Sequence, residues 1–243
     1  MNMSNQLNYC EKHKCSKVLV RERSWECKKC LSELLEKVNQ EFEENLLKNL
    51  LSKKINSIQI PLDLKNKGLD NFQVNDEYDE KIVLRGKEYV DQMIKSNTHL
   101  NLLITGPTGV GKSHLAVGIL KYCYEQKYFR KFVCYSTSFG LANKVIATWN
   151  NHDLNEEDVL REYTEIELLV IDDLGYDDIG KKAEIINKII YRRHENHKST
   201  IITSNLKVEQ IVEYMGSRTS SRFFSHLYAD IQIDTEDFRM RRK

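Results

Sequence analysis

The sequence has no long apolar run, no net excess of one charge and no repeated or low-complexity segment. No stretch reaches the roughly 18 uninterrupted apolar residues typical of a membrane span, so no contact with a membrane is expected. The first residues lack a basic segment followed by an apolar one, which predicts a cytoplasmic protein without a secretory signal. The sequence has 37 Lys and Arg residues and 36 Asp and Glu residues, so its net charge is close to zero. Any binding to nucleic acid must therefore use a local patch of positive charge.

The chain is long enough to fold around one or two ordinary cores. It has 243 residues, of which 40% are hydrophobic and 30% are charged. These proportions exclude a disordered tail, and the absence of repeats argues against a fibre or a solenoid.

Four of the six cysteines lie in the first 30 residues. Cys10 and His13 are separated by two residues, and so are Cys27 and Cys30. Two such pairs can complete a tetrahedron around one ion, so this spacing predicts a structural zinc site. A site that uses Cys15 in place of His13 is also allowed by the spacing, and free thiols on a basic hairpin are the alternative to a metal.

A helix with one apolar stripe is predicted from Leu31 to about Ile55. The stripe is either ordinary core, which is the commoner case, or a docking face for a partner. The following segment, Ile60 to Phe72, is rich in turn-forming residues and predicts the boundary before the main domain. We therefore expect an N-terminal zinc-binding and helical domain over residues 1–56 and a second domain over 57–243.

The most informative motif follows an apolar strand at residues 100–105. It has the pattern G-x-x-x-x-G-K-S and is followed by a helical segment, His114 to about Gln126. Glycines let backbone N–H groups converge on phosphate oxygens, the lysine reaches the β- and γ-phosphates, and the serine hydroxyl is a Mg²⁺ ligand. The predicted nucleotide-binding residues are Gly106, Pro107, Thr108, Gly109, Val110, Gly111, Lys112, Ser113 and His114.

Two acids end a second apolar strand, residues 167–171. Asp172 is expected to hold Mg²⁺ together with Ser113, and Asp173 to orient and deprotonate the attacking water. An ordinary Asp-Asp turn is the alternative, and the phosphate loop 60 positions upstream argues against it.

The same strand–helix alternation continues on both sides of these acids. Strands at 131–136 and 200–205, with helices through Trp149, at 181–196 and at 208–216, predict an α/β fold with a parallel sheet and helices on both faces. Asn205 ends one strand where a γ-phosphate and the attacking water would lie. Its alternative role is to cap the helix that follows.

These motifs resemble the AAA+ ATPases of the DnaC/DnaI helicase-loader and IstB group. The resemblance covers about residues 60–240 and rests on the run from Gly106 to Ala116, the Leu168–Gly175 strand, Thr203-Ser204-Asn205 and the spaced Arg218 and Arg222. It implies that Asn205 is a sensor, that Arg222 is an arginine finger acting on the nucleotide of a neighbouring subunit, and that Arg239 is a second sensor. Arg218, one helical turn before Arg222, is a candidate for the same interface.

The resemblance also implies ATP and Mg²⁺ as cofactors and assembly into a ring or spiral through Arg222 in trans. Two features depart from many AAA+ proteins. Asp173 stands where glutamate is common, which predicts slow hydrolysis. The sequence ends four residues after Arg239, so we expect a minimal or absent C-terminal lid.

The function that follows from this resemblance is ATP-dependent loading of a replicative DnaB-type helicase onto single-stranded DNA. The N-terminal domain would bind the helicase. Phe139, Lys144 and Trp149 are candidate contacts for the strand, although such aromatics are more often core. The alternatives are an IstB-like transposition helper and a non-catalytic adaptor, in which bound nucleotide only orders the fold.

Overall fold

The computed structural model describes residues 9–20, 24–57, 60–73, 77–126, 133–150, 153–176 and 179–234. The chain divides into two compact units, Met1–Lys54 and Ile55–Lys243. Within the described ranges, no helix combines the length and the apolar character needed to cross a bilayer.

The first unit consists of two short hairpins and the start of a long helix. Strand β1 (Tyr9–Cys10) pairs with β2 (Cys15–Ser16), β3 (Val18–Val20) pairs with β4 (Ser24–Glu26), and helix α1 covers Lys28–Ser57. The hydrophobic residues that are buried in the described part of this unit are Cys10 and Cys27. The described part of this unit therefore has almost no apolar core.

The apolar stripe of α1 is exposed, and its interpretation as core is wrong for the residues whose side chains are described. Phe42 is 67% exposed and Leu34 is 57% exposed. The side chains of Leu46 and Leu50 lie outside the described part of the chain. The described members of the stripe that are exposed are Leu31, Leu34, Leu35, Val38 and Phe42.

The second unit is built on the predicted parallel sheet. Its five strands are β5 (Asn101–Thr105), β6 (Val133–Thr137), β7 (Leu168–Leu174), β8 (Ser199–Ser204) and β9 (Leu227–Gln232). Their order is β6-β7-β8-β5-β9, and every pair is parallel. All residues of β5 and β8 are buried, as expected for strands covered on both faces.

Among the described residues, six α-helices flank this sheet. They are α2 (Glu77–Ser96), α3 (Lys112–Glu125), α4 (Ser138–Ala147), α5 (Glu156–Glu165), α6 (Lys181–Glu195) and α7 (Val208–Ser225). Helix α2 packs on α3, while α4 to α7 pack among themselves. Helix α7 continues nine residues past its predicted end at Gly216, where the backbone kinks with φ 70°.

The turn-rich segment 60–73 is part of the second unit and not only a boundary before it. Leu69 and Phe72 are buried. Lys121 on α3 donates hydrogen bonds to the carbonyl oxygens of Lys65 and Lys67, over 2.5 and 2.6 Å. The segment is thereby attached to the helix that follows the phosphate loop.

Candidate nucleotide site and candidate metal centre

The phosphate loop has a backbone that only glycine adopts easily. Gly106, Gly109 and Gly111 have φ angles of 147°, 84° and 100°. A Cβ on Gly106 would lie 2.2 Å from the carbonyl oxygen of Ile233, and Ile233 is itself hydrogen-bonded to Thr105. The first glycine of the motif is therefore required by close packing as well as by conformation.

Helix α3 begins directly at the loop with its amino end uncapped. Its N-cap is Gly111, no side chain accepts from the first turn, and that turn contains no acidic residue. The first N–H groups and the partial positive charge of the helix are therefore available to an anion. This local geometry fits a phosphate group.

Lys112 and Asn205 are brought together. The Lys112 ammonium donates to the Pro107 carbonyl oxygen over 2.6 Å and to the Asn205 amide oxygen over 2.5 Å. The N-cap of α7 is Lys207, so Asn205 does not cap that helix. Its side chain instead contacts the lysine of the phosphate loop.

The two acids at the end of β7 have different environments. Asp172 is buried, and its carboxylate accepts hydrogen bonds from the hydroxyls of Tyr135 and Thr203, each over 2.5 Å. Burial, together with the adjacent Asp172, raises the pKa of Tyr135, so its hydroxyl keeps the proton that it donates. Neither hydroxyl was predicted to contribute, because both lie on strands that are separate in sequence from Asp172.

Asp173 adopts a left-handed conformation with φ 55°. Its N–H donates to the Thr203 hydroxyl over 3.0 Å, and its carbonyl oxygen accepts from Ser138 over 2.9 Å. The Thr203 hydroxyl thus contacts both acids. The pairing register with β8 shifts between Ile171 and Leu174, which turns the two successive carboxylates toward different surroundings.

A cavity of about 1300 Å³ lies beside the phosphate loop. Among the residues singled out from the sequence, it is lined by Thr108, Gly109, Gly111, Lys112, Ser113, His114, Asp173 and Asn205. Gly106, Pro107, Val110, Asp172 and Arg222 are not among its described lining residues. Lysine, hydroxyl, amide and carboxylate groups facing one cavity at a helix amino end fit a nucleotide with its magnesium ion.

The turn-rich segment supplies another wall of the cavity. Asp63, Asn71 and Phe72 line it. The His114 ring nitrogen Nε2 contacts the Gly68 carbonyl oxygen at 2.9 Å and the Asn71 amide oxygen at 3.0 Å, and burial lowers the pKa of His114. Turn-forming composition alone gave no signal for this contribution.

Arg222, the predicted arginine finger, lies at the end of the sheet opposite to the nucleotide cavity, where the strands begin. Helix α7 starts after the carboxyl-terminal end of β8. Strand β9, which follows α7, begins beside Asn101, the first residue of β5. Arg222, near the end of α7, stacks over Tyr191 with its guanidinium carbon 4.6 Å from the ring centroid, and Arg218 lies 4.7 Å from the same centroid. Arg239 lies outside the described residues.

The first unit brings together Cys10, His13, Cys27 and Cys30, whose ligand atoms all lie within 4.8 Å of one another. The sulfur atoms of Cys10 and Cys30 are 3.7 Å apart, and His13 Nδ1 is 3.2 Å from Cys30 and 3.6 Å from Cys27. Tetrahedral zinc with Zn–S bonds of about 2.3 Å separates its ligands by about 3.7 Å. The four residues therefore fit a zinc ion.

The surroundings of these ligands also fit a metal. The other nitrogen of His13, Nε2, lies 2.8 Å from a carboxylate oxygen of Glu33, which is the usual outer partner of a metal-bound histidine. The backbone N–H of Cys30 lowers the pKa of Cys27 to about 6, which favours the thiolate that metals bind. Cys15 lies outside this group of four, with its sulfur 3.4 Å from that of Cys27.

The candidate strand-binding aromatics are at the surface, so their interpretation as core is wrong. Phe139 and Trp149 are 37% and 45% exposed. The ammonium of Lys182 lies 3.9 Å from the Phe139 ring centroid, and that of Lys181 lies 5.4 Å from the Trp149 ring centroid. Lys144 lies 5.5 Å from the buried ring of Tyr163.

Residues 14–243 match the family model described as "IstB-like ATP binding protein". The chain therefore belongs to the family of IstB-like ATP-binding proteins. Membership agrees with the resemblance deduced from the motifs, and the predicted AAA+ fold is confirmed.

Relatives of known name give a consistent result. The chain is 27% identical over 159 residues to the replicative helicase loader DnaC of Escherichia coli K12 and 31% identical over 160 residues to that of Buchnera aphidicola subsp. Baizongia pistaciae. In both cases the match covers 65% of this chain and 63% of the relative. A crystal structure of the DnaC helicase loader has a TM-score of 0.62 at 24% identity and covers 72% of this chain and 100% of that one, which shows a shared fold.

Proposed function

We propose that this protein is an ATPase that loads a replicative DnaB-type helicase onto single-stranded DNA. The observation that carries the proposal is the convergence of Lys112, Ser113, Asp173 and Asn205 on one cavity at the end of a parallel sheet. The names of the DnaC relatives supply the cellular role.

The residues around the cavity have the chemistry needed to hydrolyse a nucleoside triphosphate. Magnesium bound with the nucleotide, held by Ser113 and Asp172, would neutralise phosphate charge. Lys112 would donate to the β- and γ-phosphates and exchange part of its present contact with Asn205 for them. Asp173 would accept the proton of the attacking water, and the Asn205 amide would orient that water.

Completion of the site would require a second subunit. Arg222 lies near the amino-terminal ends of the strands, whereas the cavity lies at their carboxyl-terminal ends. A helix rises about 1.5 Å per residue, so Arg222 is far from the nucleotide cavity of its own chain. An arginine supplied by a neighbour stabilises charge in the transition state, and repeated head-to-tail contacts of this kind make a ring or spiral.

The exposed stripe on α1 is the proposed helicase-binding surface. Leu34, Leu35, Val38 and Phe42 are each more than half exposed, and contiguous exposed apolar side chains mark interaction sites. The zinc centre immediately before α1 would hold the start of this helix in place, because Cys27 precedes it and Cys30 lies in its first turn.

The proposed contact for single-stranded DNA is the surface formed by Phe139, Trp149, Lys181 and Lys182. Single-strand binders combine aromatic faces for base stacking with lysines for phosphates. Replacing Phe139 and Lys182 by alanine is expected to weaken strand binding in a fluorescence titration. The matched variant Lys144→Ala, whose ammonium lies near Tyr163, is expected to have a smaller effect.

A transposition helper is the second candidate function, because the matching family model is named for IstB. Such a protein would act with a transposase on duplex DNA. Capture of the cognate DnaB-type helicase by the full chain in the presence of ATP supports the loader function. Capture of a transposase with no retention of helicase contradicts it and favours the transposition helper.

The ATPase part of the proposal is tested separately. Wild-type protein should hydrolyse ATP slowly, faster with single-stranded DNA, and Lys112→Ala should reduce the rate by at least about a hundredfold. Lys95→Ala, which removes an exposed lysine from the last turn of α2, should leave it unchanged. An absence of turnover in the wild type, with identical nucleotide affinity for Lys112→Ala, would favour the non-catalytic adaptor.

A further inference from the structure

Four of the seven histidines of the chain lie close together near the amino-terminal ends of the strands, away from the nucleotide cavity. His99 precedes β5, His194 lies in the last turn of α6, His197 follows that helix, and His226 lies between α7 and β9. The ring centroids of His99 and His226 are 4.0 Å apart, those of His194 and His226 are 5.0 Å apart, and those of His99 and His197 are 5.0 Å apart.

The backbone around these rings is fixed by hydrogen bonds. Asn101 donates from its N–H to the His226 carbonyl oxygen over 2.8 Å. Leu100 donates from its N–H to the Ser199 hydroxyl over 3.0 Å, and the Leu100 carbonyl oxygen accepts from Tyr89 over 2.8 Å. The segments that carry His99 and His226 are therefore held side by side without any contribution from the imidazoles.

Two nitrogens in this cluster are buried and lack hydrogen bonds. Within the described part of the chain, His99 Nε2 and His194 Nδ1 have no partner, whereas His226 Nδ1 lies 2.9 Å from the Ser225 hydroxyl. Buried polar atoms normally have a partner, and leaving one unpaired is unfavourable. A bound cation would give both nitrogens a partner.

We propose that His99, His194 and His226 form a second metal site, which binds a divalent transition-metal ion such as zinc. Their ligand nitrogens lie within 4.8 Å of one another. Zinc–nitrogen bonds of about 2.0–2.1 Å require nitrogens about 3.4 Å apart, and rotation of the half-buried rings about their side-chain bonds closes that gap. Imidazole is a preferred ligand of zinc, copper and nickel.

The charge around the site is mixed and does not oppose this ion strongly. Glu195 is the acidic neighbour of His194, while Arg222 is the basic one. A neutral imidazole ring keeps a lone pair for a metal. Three protein ligands leave a further coordination position for solvent.

This site is independent of the loader function, but its location connects it to the proposed subunit interface. His226 lies one helical turn beyond Arg222, and both residues adjoin the end of α6. A metal ion that joins α6 to the end of α7 would hold the segment that carries the arginine. The metal-binding test below needs neither helicase nor nucleotide, so its failure is distinct from failure of the proposed function.

The test measures zinc bound to the full chain by equilibrium dialysis and elemental analysis. With Cys27→Ser and Cys30→Ser present to disable the N-terminal centre, one zinc per chain should remain. Adding His99→Asn and His226→Asn should weaken this binding at least tenfold. The control His197→Asn, which alters the neighbouring histidine outside the three-ligand group, should retain it.

A second measurement needs no histidine variant and therefore does not depend on variant folding. Zinc should protect His99, His194 and His226 from diethylpyrocarbonate several-fold, as read by peptide mass spectrometry, while modification of His197 changes less. The proposal is overturned if the cysteine-disabled chain binds no zinc, or if it binds zinc without protecting these three histidines.

Discussion

The two units of this protein are stabilised in different ways. The second unit, residues 55–243, encloses a continuous apolar core that includes Leu103, Ile171, Ile189 and Ile202. The N-terminal unit, residues 1–54, buries Cys10 and Cys27 in its described part and exposes most of its larger apolar side chains. One unit folds around its own side chains, and we expect the other to depend on a bound metal ion.

This difference accounts for how each unit can be used. A segment of this size with so little buried apolar surface cannot offset the loss of chain entropy by burial alone. Metal binding can supply that free energy, which leaves leucine, valine and phenylalanine side chains on α1 free to bind a partner. The second unit buries its apolar residues in its own core and presents polar groups to its cavity.

The largest expected effect is the selective unfolding of the N-terminal unit when zinc is removed. Structural zinc contributes about 10–16 kcal/mol in small domains, more than the unit can supply by burial. A strong chelator, or Cys27→Ser, should therefore abolish protection from amide hydrogen exchange in residues 9–42. Protection in β5 and β8 should be unchanged.

Nucleotide binding provides the control for this experiment. It should be the same before chelation and after chelation followed by restoration of Mg²⁺, because no cysteine lines the described part of the cavity. If residues 9–42 remain protected without metal, the contrast between the two units is wrong.

The next effect measures how tightly the second unit is packed at its phosphate loop. Gly106→Ala places a Cβ 2.2 Å from the Ile233 carbonyl oxygen, a backbone atom that cannot rotate away. We expect a loss of about 3–5 kcal/mol in the free energy of unfolding, measured by urea titration. The matched variant is Gly180→Ala, because Gly180 also has a positive φ, 62°, but no atom within 4 Å of its Cβ position.

Gly180→Ala should cost only the conformational term, about 1–3 kcal/mol. Equal losses for the two variants would mean that Gly106 is needed for its backbone angle and not for close packing against the segment after β9.

A smaller effect is expected from removing the carboxylate that contacts the candidate zinc ligand His13. Glu33→Ala removes the carboxylate beside His13 Nε2 and should weaken zinc binding about 10- to 100-fold, or about 1.4–2.8 kcal/mol. Competition with a chromophoric chelator measures the affinity. Glu36→Ala, at an exposed position of the same helix, should leave zinc affinity unchanged, and an equal loss for both variants would show only a general charge effect.

The parts of the site that could be predicted are those in which neighbouring residues in sequence act together. The residues of Gly106–Ser113 are contiguous, and so are the two acids near the end of β7. The cysteine pairs have the spacing of a single turn, so each pattern predicts its own local geometry. The partners of Asp172 could not be found in this way. Tyr135 and Thr203 are 37 and 31 residues distant from it, and only the strand order brings them to the carboxylate.

The fold was predicted to a similar extent and for the same reason. Strands β5 to β8 are apolar runs followed by helices, which is a local pattern. Strand β9 was not predicted because its sequence, Leu-Tyr-Ala-Asp-Ile-Gln, is only partly buried at the sheet edge. The histidine cluster was also not predicted, because its members lie in separate segments of the chain that meet at the amino-terminal ends of the strands.

The smallest expected effect tests whether hydrogen bonds to Asp172 stabilise the second unit at its cavity. Tyr135→Phe removes one of the two hydroxyls on Asp172 and should lower the free energy of unfolding by about 1–1.5 kcal/mol. Thr203→Val should cost somewhat more, because its hydroxyl also accepts from the Asp173 N–H. Since both hydroxyls serve one buried carboxylate, the double variant should deviate from additivity by at least about 0.5 kcal/mol. Strict additivity in urea unfolding would mean that the two hydrogen bonds act independently, and the carboxylate would then not be the common element that joins β6, β7 and β8 at the cavity edge.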